Sequence, residues 1–233
     1  MFNKGDFHIH STASDGNCSP REVVRIAKER HIDIISLTDH NTINGLSEAI
    51  SYGAEIGIKV IPGVELSTRY NNTRVHVLGY FKDDSYKNEL LIEVLKYIKA
   101  RKITPVKNLL HGYLSSYYRR NSICVENGIE ILRFFGAAVV LAHPVLIPKE
   151  DFKEIIKMDF DGIEARYFSN TEEDTRYFIN VARTRNLFYT AGSDFHNQKE
   201  MYRSHGLIGD VYLNKDEIKT FLTKGKLNIC SNT

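Results

Sequence analysis

Short apolar runs alternate along the chain with amphipathic stretches, the pattern of an α/β protein built on a largely parallel sheet. The run DFHIH at 6–10 predicts the first strand. Ser19-Pro20-Arg21-Glu22 then supplies an N-cap, a Pro at the first helical position and an acid at the third, predicting a helix to about His31. IDIISLTDH predicts a second strand, its continuous apolar run suiting burial on both faces. A helix is expected from Thr42 to Gly57, with the glycine ending it, and KVIPGVEL is a third strand. STRYNNTRVHVLGYF alternates around Asn71-Asn72 and predicts a β-hairpin whose second arm carries His76. From about 88 to 135 the pattern becomes helical only, which reads as an insertion of two or three helices. The βα rhythm returns with AAVVLAHP, a helix at 149–158, DGIEARY, a helix at 170–186, LFYTAGSDFH and a last helix near 215–224. No repeat or long linker interrupts it, so residues 1–233 are expected to form a single domain.

Composition narrows the function classes. With 42% hydrophobic and 26% charged residues the chain can bury one sizeable core. Lys and Arg number 31 against 29 Asp and Glu, a formal net charge of +2, so neither duplex DNA nor a membrane surface is implied as a partner. Cys18, Cys124 and Cys230 are odd in number and far apart, which argues against a disulfide framework and against a thiolate zinc site. MFNKGDFHIHSTASDG shows no apolar core of a signal peptide, and a cytoplasmic location is expected. Oligomeric state has no signature in the sequence.

The chemistry lies in where ligand-capable residues fall. His8 and His10 close the first strand, Asp39 and His40 the second, Glu65 the third, His143 follows VVLA, and Asp194 and His196 close the last. Loops at the carboxyl ends of parallel strands converge on one mouth, so these side chains can meet there. His8 and His10 are two residues apart and share a strand face, as two ligands of one ion require; a half-buried His pair bonded to backbone has the same spacing. Asp39-His40 reads equally as a helix cap, and Asp194 as a loop acid capping the next segment. Three such elements at strand ends, with Asp15, Glu65, His76 and His143 beside them, make coincidence a poor account.

The string DFHIHSTASDG, TDHNT, GVELST, HVLGY, LAHP, IEARY and AGSDFH resembles the polymerase and histidinol phosphatase (PHP) superfamily of metal-dependent phosphoesterases, in particular its nucleotide phosphatase and 5′-3′ exoribonuclease branch. That resemblance implies a distorted (β/α)7 barrel with a small helical insertion and a trinuclear metal centre at its mouth. By position the ligands it implies are His8, His10, Asp15, His40, Glu65, His76, His143, Asp194 and His196, with Glu65 bridging. Imidazoles mixed with carboxylates suit three divalent ions of Mn, Fe or Zn better than Mg or Ca. Asp39 is expected either to orient a ligand histidine through its free ring nitrogen or to cap a helix, and His205 follows the last motif closely enough to reach the mouth. His31 and His111 are expected at the surface.

The implied activity is hydrolysis of a phosphomonoester, a nucleotide or the end of a short oligonucleotide. Histidinol phosphate as substrate and a non-catalytic module remain alternatives. The relatives' cap between the positions of His76 and His143 is longer and carries basic residues that hold a second phosphate. Here the shortened stretch offers Lys99, Arg101, Lys102, Arg119 and Arg120, with Tyr113, Tyr117 and Tyr118 interleaved. Arg101, Lys102, Arg166 and His205 are the candidate substrate contacts, set against solvated or acid-paired alternatives.

Overall fold

The computed structural model describes residues 2–115, 118–119, 121–198 and 205–227. Cys230, Tyr117 and Arg120 lie outside the described residues, and of Tyr118 and Arg119 only the backbone is described. The elements run in the order β1 (Lys4–Ile9), α1 (Pro20–Glu29), β2 (Ile34–Leu37), α2 (Leu46–Ile56), β3 (Lys59–Tyr70), β4 (Thr73–Phe81), α3 (Glu89–Lys99) and α4 (Ile103–Leu109). Then follow β5 (Tyr118–Arg119), β6 (Ser122–Cys124), α5 (Val125–Phe134), β7 (Ala137–Leu141), α6 (Lys149–Ile155), β8 (Gly162–Tyr167), α7 (Glu172–Thr184), β9 (Phe188–Gly192), β10 (Leu213–Asn214) and α8 (Lys215–Lys224).

Local signals explain most of the boundaries. Ser19 and Glu22 form a reciprocal capping box around Pro20 at the start of α1. Gly57, in the left-handed conformation, ends α2. The two-residue turn Asn71-Asn72 sets the β3–β4 register, with Tyr70 opposite Thr73 and Arg69 opposite Arg74. The start of α2 is later than Thr42, because Asn41 takes a positive φ of 51° and the chain crosses close over the barrel, leaving no room for a Cβ at Gly45 beside Pro20 and Leu37.

The sheet order is β10-β1-β2-β3-β4-β7-β8-β9. β1, β2 and β3 are parallel, β4 is antiparallel to β3 and to β7, and β7, β8 and β9 are again parallel. A bridge between Ile9 and Phe195 brings β9 back to β1, where His10 N donates to Phe195 O at 2.9 Å and Asp194 N donates to His8 O at 2.9 Å. The result is a nearly closed barrel, distorted by the reversed strand β4, with the two-residue β10 antiparallel to the start of β1. That reversal puts the beginning of β4, and with it His76, at the same mouth as the ends of its neighbours.

Two apolar shells hold it. Inside, Phe7, Ile34, Ile61, Leu78, Tyr80, Val140 and Phe188 form a plug, closed from below by Phe221 of α8. Phe221 packs at 4.7 Å from Phe7 and 5.3 Å from Phe188, ring to ring. Outside, the apolar faces of the helices cover the sheet. The segment expected to be helical only contains a short ladder: β6 pairs with β5 and lies parallel to the outer edge of β3, Thr68 opposite Ile123. Three residues are too few for any periodicity to show, so pairing with β3 decides their conformation. Among the described residues no helix is long and apolar enough to cross a membrane.

Candidate metal centre

Above the plug the interior turns polar. β1 delivers His8 and His10, both fully buried, and a register shift between Asp6 and Ile9 lets Phe7 join the plug while His8 reaches the mouth. Glu65, at the centre and 1% exposed, is approached from all sides. Its Oε1 lies 2.9 Å from His76 Nδ1 and 3.2 Å from both His8 Nε2 and His143 Nε2. Its Oε2 lies 2.9 Å from His40 Nδ1 and 3.3 Å from His10 Nε2. Asp194 Oδ1 sits 3.1 Å from His10 Nε2, and Asp15 Oδ1 sits 3.4 Å from His196 Nε2.

Charge explains the state of these groups. Burial pushes the Glu65 carboxyl up, but the imidazoles of His76, His40 and His8 outweigh it and hold it well below the usual carboxylate range. Asp194 is depressed in the same way, burial being outweighed by His8, His10 and His205. Burial opposes a charge on His8, yet Glu164, Glu65 and Asp194 together raise it well above the ordinary imidazole value. The carboxylates therefore stay ionised and call for positive charge among them.

A metal fits that demand. His8 Nε2, both ring nitrogens of His10, His40 Nδ1, His143 Nδ1 and Glu65 Oε2 are buried without a hydrogen bond, although carboxylates and rings lie close. Buried polar atoms are almost always partnered, so unbonded nitrogens and a carboxylate oxygen gathered in one mouth fit bound cations. Donor atoms of His10, Asp15, His40 and His196 lie within 4.8 Å of one another, as do those of His8, His10 and Asp194, of His40, Glu65 and His76, and of Asp194, His196 and His205. His143 and Asp194 carry positive φ values of 26° and 53°, so the backbone is strained at the site itself.

The remaining candidates divide. His205 reaches the mouth, its Nδ1 3.0 Å from Asp194 Oδ2 and its ring tilted against that of His196, centroids 4.0 Å apart. Among the described residues the Asp39 carboxylate bonds no histidine ring and caps no helix. It accepts from Ser11 N and Oγ at 2.8 and 2.7 Å and from Ser14 Oγ at 2.6 Å, fastening the loop that presents Asp15. Arg166 faces away from the mouth: a register shift in β8 between Glu164 and Arg166 turns Tyr167 inward, and the Arg166 guanidinium reaches Glu217 of α8 at 2.7 Å. Tyr113 packs on Phe134 instead of facing the barrel opening. His31 and His111 are exposed.

The role expected of Asp39 belongs to Glu164. Its Oε1 lies 3.0 Å from His8 Nδ1 and its Oε2 accepts from His143 N at 2.7 Å, so one carboxylate aligns two histidines. Gly192 makes room for it, since a Cβ there would fall 2.1 Å from Glu164 Oε1. An acid within the otherwise apolar run GIEA was the available signal. Asp6 was also missed: fully buried and pushed up to about 6 by burial, it accepts from Ser193 N and Gly209 N and ties two loops to β1.

A cavity of about 470 Å³ opens beside the centre, bounded on one side by Asp15, His40 and His76 and on the other by Arg69, Arg74 and Arg101. Lys102 is exposed nearby and does not line it. Arg101 holds a positive φ of 56° in the turn between α3 and α4.

The PHP domain family matches residues 6–205. The chain is 40% identical to a 3′,5′-nucleoside bisphosphate phosphatase of Chromobacterium violaceum, over 88% of this chain and 92% of that one. It is 36% identical to a 5′-3′ exoribonuclease of Haemophilus influenzae, over 84% and 91%. A solved structure of a candidate metal-dependent phosphoesterase from Bifidobacterium adolescentis superposes with a TM-score of 0.75 at 22% identity, covering 95% of this chain and 96% of that one, and shows the shared fold. The chain belongs to the PHP domain family and is a metal-dependent phosphoesterase, a hydrolase.

Proposed function

We propose that the chain hydrolyses a phosphomonoester, a nucleotide or the 5′ end of a short oligonucleotide, at a centre of three divalent ions held by His8, His10, Asp15, His40, Glu65, His76, His143, Asp194 and His196. The observation that carries the proposal is the set of buried, unbonded nitrogens and oxygens facing one another around Glu65. His205 joins the set through Asp194. Bound divalent ions supply Lewis acidity, lowering the pKa of water toward neutrality and offsetting charge on the phosphoryl oxygens.

The chain's own groups do the rest. Glu65 and Asp194, kept ionised by the rings around them, anchor positive charge at the floor of the mouth. Glu164 fixes the His8 ring, and its bond to His143 N holds the strained turn that aims the second ring. Tyr167 donates to Asp194 Oδ2 at 2.9 Å and leaves Oδ1 turned toward His10. Asp39 fixes the Ser11–Ser14 loop and so the place of Asp15. The cavity beside His40 and His76 receives the ester, and its arginines favour an anionic leaving portion. The named activities of the relatives, on a nucleoside bisphosphate and on RNA, support a nucleotide over histidinol phosphate.

The test is turnover by manganese-loaded protein of an aryl phosphate, a nucleoside 3′,5′-bisphosphate, a short 5′-phosphorylated RNA and histidinol phosphate. Faster release of phosphate from the nucleotides is expected, with about three metal equivalents by elemental analysis. Turnover of histidinol phosphate alone, or none with metal bound, overturns the proposal.

A further inference from the structure

Next to His40 in the chain stands a residue that the metal centre does not use. Asn41 holds a positive φ of 51°, which Asn tolerates better than most residues, and its backbone N donates to Glu65 O at 2.9 Å. Its amide makes two bonds to one residue of β3: Ser67 N donates to Asn41 Oδ1 at 2.9 Å, and Asn41 Nδ2 donates to Ser67 Oγ at 3.0 Å. A backbone N–H can only donate, so the amide oxygen must face Ser67 N and the amide NH2 must face the hydroxyl. Ser67 Oγ is therefore the acceptor in this pair, and its own hydrogen is left over. Among the described residues no acceptor takes that hydrogen. Ser67 shares a strand face with Glu65 and stands opposite His76. The two exchange no backbone bonds, since Ser67 N is taken by Asn41 and His76 O accepts from Ala142 N. Such a pair brings its Cα atoms to about 4.5 Å and its side chains closer than a bonded pair does. Asn41 and Ser67 both line the 470 Å³ cavity, between Asp15, His40 and His76 on one side and Arg69 and Arg74 on the other.

We infer that the Ser67 hydroxyl, aimed by Asn41, is a catalytic donor to the ester oxygen that joins phosphorus to the leaving alcohol. The inference rests on the phosphomonoesterase reading and deepens it. In the hydrolysis the water oxygen bonds phosphorus and the P–O ester bond breaks, its electron pair going to the ester oxygen. That oxygen leaves as the alcohol with one proton of the water, and the other proton stays on the phosphate. Ser67 gives up no proton. Its hydrogen bond strengthens as charge gathers on the departing oxygen, so it lowers the barrier for an alcohol that leaves poorly and does little for a group that leaves as a stable anion. Asn41 is a positioning residue, acting on the substrate only through the direction it gives the hydroxyl.

The test measures single-turnover rates of manganese-loaded wild type, Ser67→Ala, Ser67→Thr and Asn41→Asp on two esters. Adenosine 3′,5′-bisphosphate releases an alcohol, and 4-nitrophenyl phosphate releases a stable phenolate. Ser67→Ala is expected to lose about 10- to 100-fold on the nucleotide and no more than about threefold on the aryl ester, with wild-type metal content by elemental analysis. Ser67→Thr keeps the hydroxyl and is expected to recover most of the rate. In Asn41→Asp the carboxylate still accepts from Ser67 N but also takes the hydroxyl hydrogen, so the ratio of nucleotide to aryl rates is expected to fall as in Ser67→Ala. Equal losses on the two esters, or an unaltered ratio in Ser67→Ala and Asn41→Asp, overturn the inference. Calorimetry gives a reading without turnover. The bisphosphonate analogue of the nucleotide, with methylene in place of both ester oxygens, is expected to bind wild type and Ser67→Ala within about twofold of each other. Weaker binding by the variant assigns the hydroxyl to another part of the ligand and overturns the inference. Failure of the metal-loaded wild type to hydrolyse either ester overturns the phosphatase reading and this inference with it. Turnover of both esters with the ratio unaltered in the variants overturns this inference alone.

Discussion

The two ends of the barrel interior are built from the same strands and solve opposite problems. At the lower end Phe7, Leu78, Tyr80, Phe188 and Phe221 interdigitate, and the Tyr80 hydroxyl, the polar atom among them, donates to Phe7 O at 2.9 Å. At the upper end the same β1, β3, β4 and β7 region presents largely buried rings and carboxylates, of which His8 Nε2, both nitrogens of His10 and Glu65 Oε2 lack hydrogen bonds. Burial of the plug yields about 1.5–3 kcal/mol for each large apolar side chain. Burial of the mouth is unfavourable until positive charge arrives. Stability and chemistry are thus separated along one axis, and a change at either end should move one property far more than the other.

The sharpest break is expected from His10→Ala. His10 is fully buried beside Glu65 and Asp194, so the metal-free protein loses some stability, about 1–3 kcal/mol by urea denaturation, and stays folded. Phosphatase kcat/KM should drop on the order of a thousandfold. A variant keeping the wild-type rate shows that the centre lies elsewhere. Phe221→Ala is the mirror experiment. It empties the floor beneath Phe7, Tyr80 and Phe188 and should cost about 3–5 kcal/mol in urea denaturation, while activity per folded molecule at low temperature stays near wild type.

Much of the upper end was legible in the sequence because its spacing is local. His8 and His10 are in phase on one strand, and Asp194 and His196 follow the next barrel closure two residues apart. The hairpin turn at Asn71-Asn72 and the capping box at Ser19 announce themselves in the same way. What stayed hidden depends on partners far along the chain or on parity. Glu164 acquires its meaning from His8 and His143, and no short motif joins them. Arg166 was a candidate for the mouth because it directly follows GIEA, with an acid partner as the alternative, and a register shift in β8 sends it to that alternative, in Glu217, far along the chain. Asp39 sits beside a histidine in sequence yet serves two serines of another loop. The β5–β6 ladder exists through its contact with β3, which no stretch of three residues reveals.

Glu164→Gln probes the link between the two ends, since Gln still accepts from His143 N but no longer charges the His8 ring. Metal affinity is expected to fall about 10- to 100-fold by chelator competition, with thermal stability of the metal-free protein little changed. An unchanged affinity would mean that the His8 ring is held in place by packing alone.

The smallest effect is expected where a carboxylate is fully partnered, outside both regions. Glu217 accepts from Asn214 N at 2.9 Å, from Tyr189 Oη at 2.8 Å and from Arg166 Nη2 at 2.7 Å. Burial pushes its carboxyl up, but these bonds outweigh it and hold it below the ordinary value. A carboxyl whose pKa is lower folded than unfolded stabilises the fold above the unfolded value, near 4.3 for Glu, and loses that contribution as pH falls through the folded one. Wild type should therefore lose urea stability more steeply below about pH 4.5 than Glu217→Gln does, with rates at neutral pH unaltered. A matching acid dependence in the two proteins would show that the three bonds lower the carboxyl no more in the folded chain than in the unfolded one. The contrast with Glu65 is then a contrast of partners: the same residue type, satisfied by fixed donors at one place and left facing unbonded nitrogens at the other, serves structure in the first case and ion binding in the second.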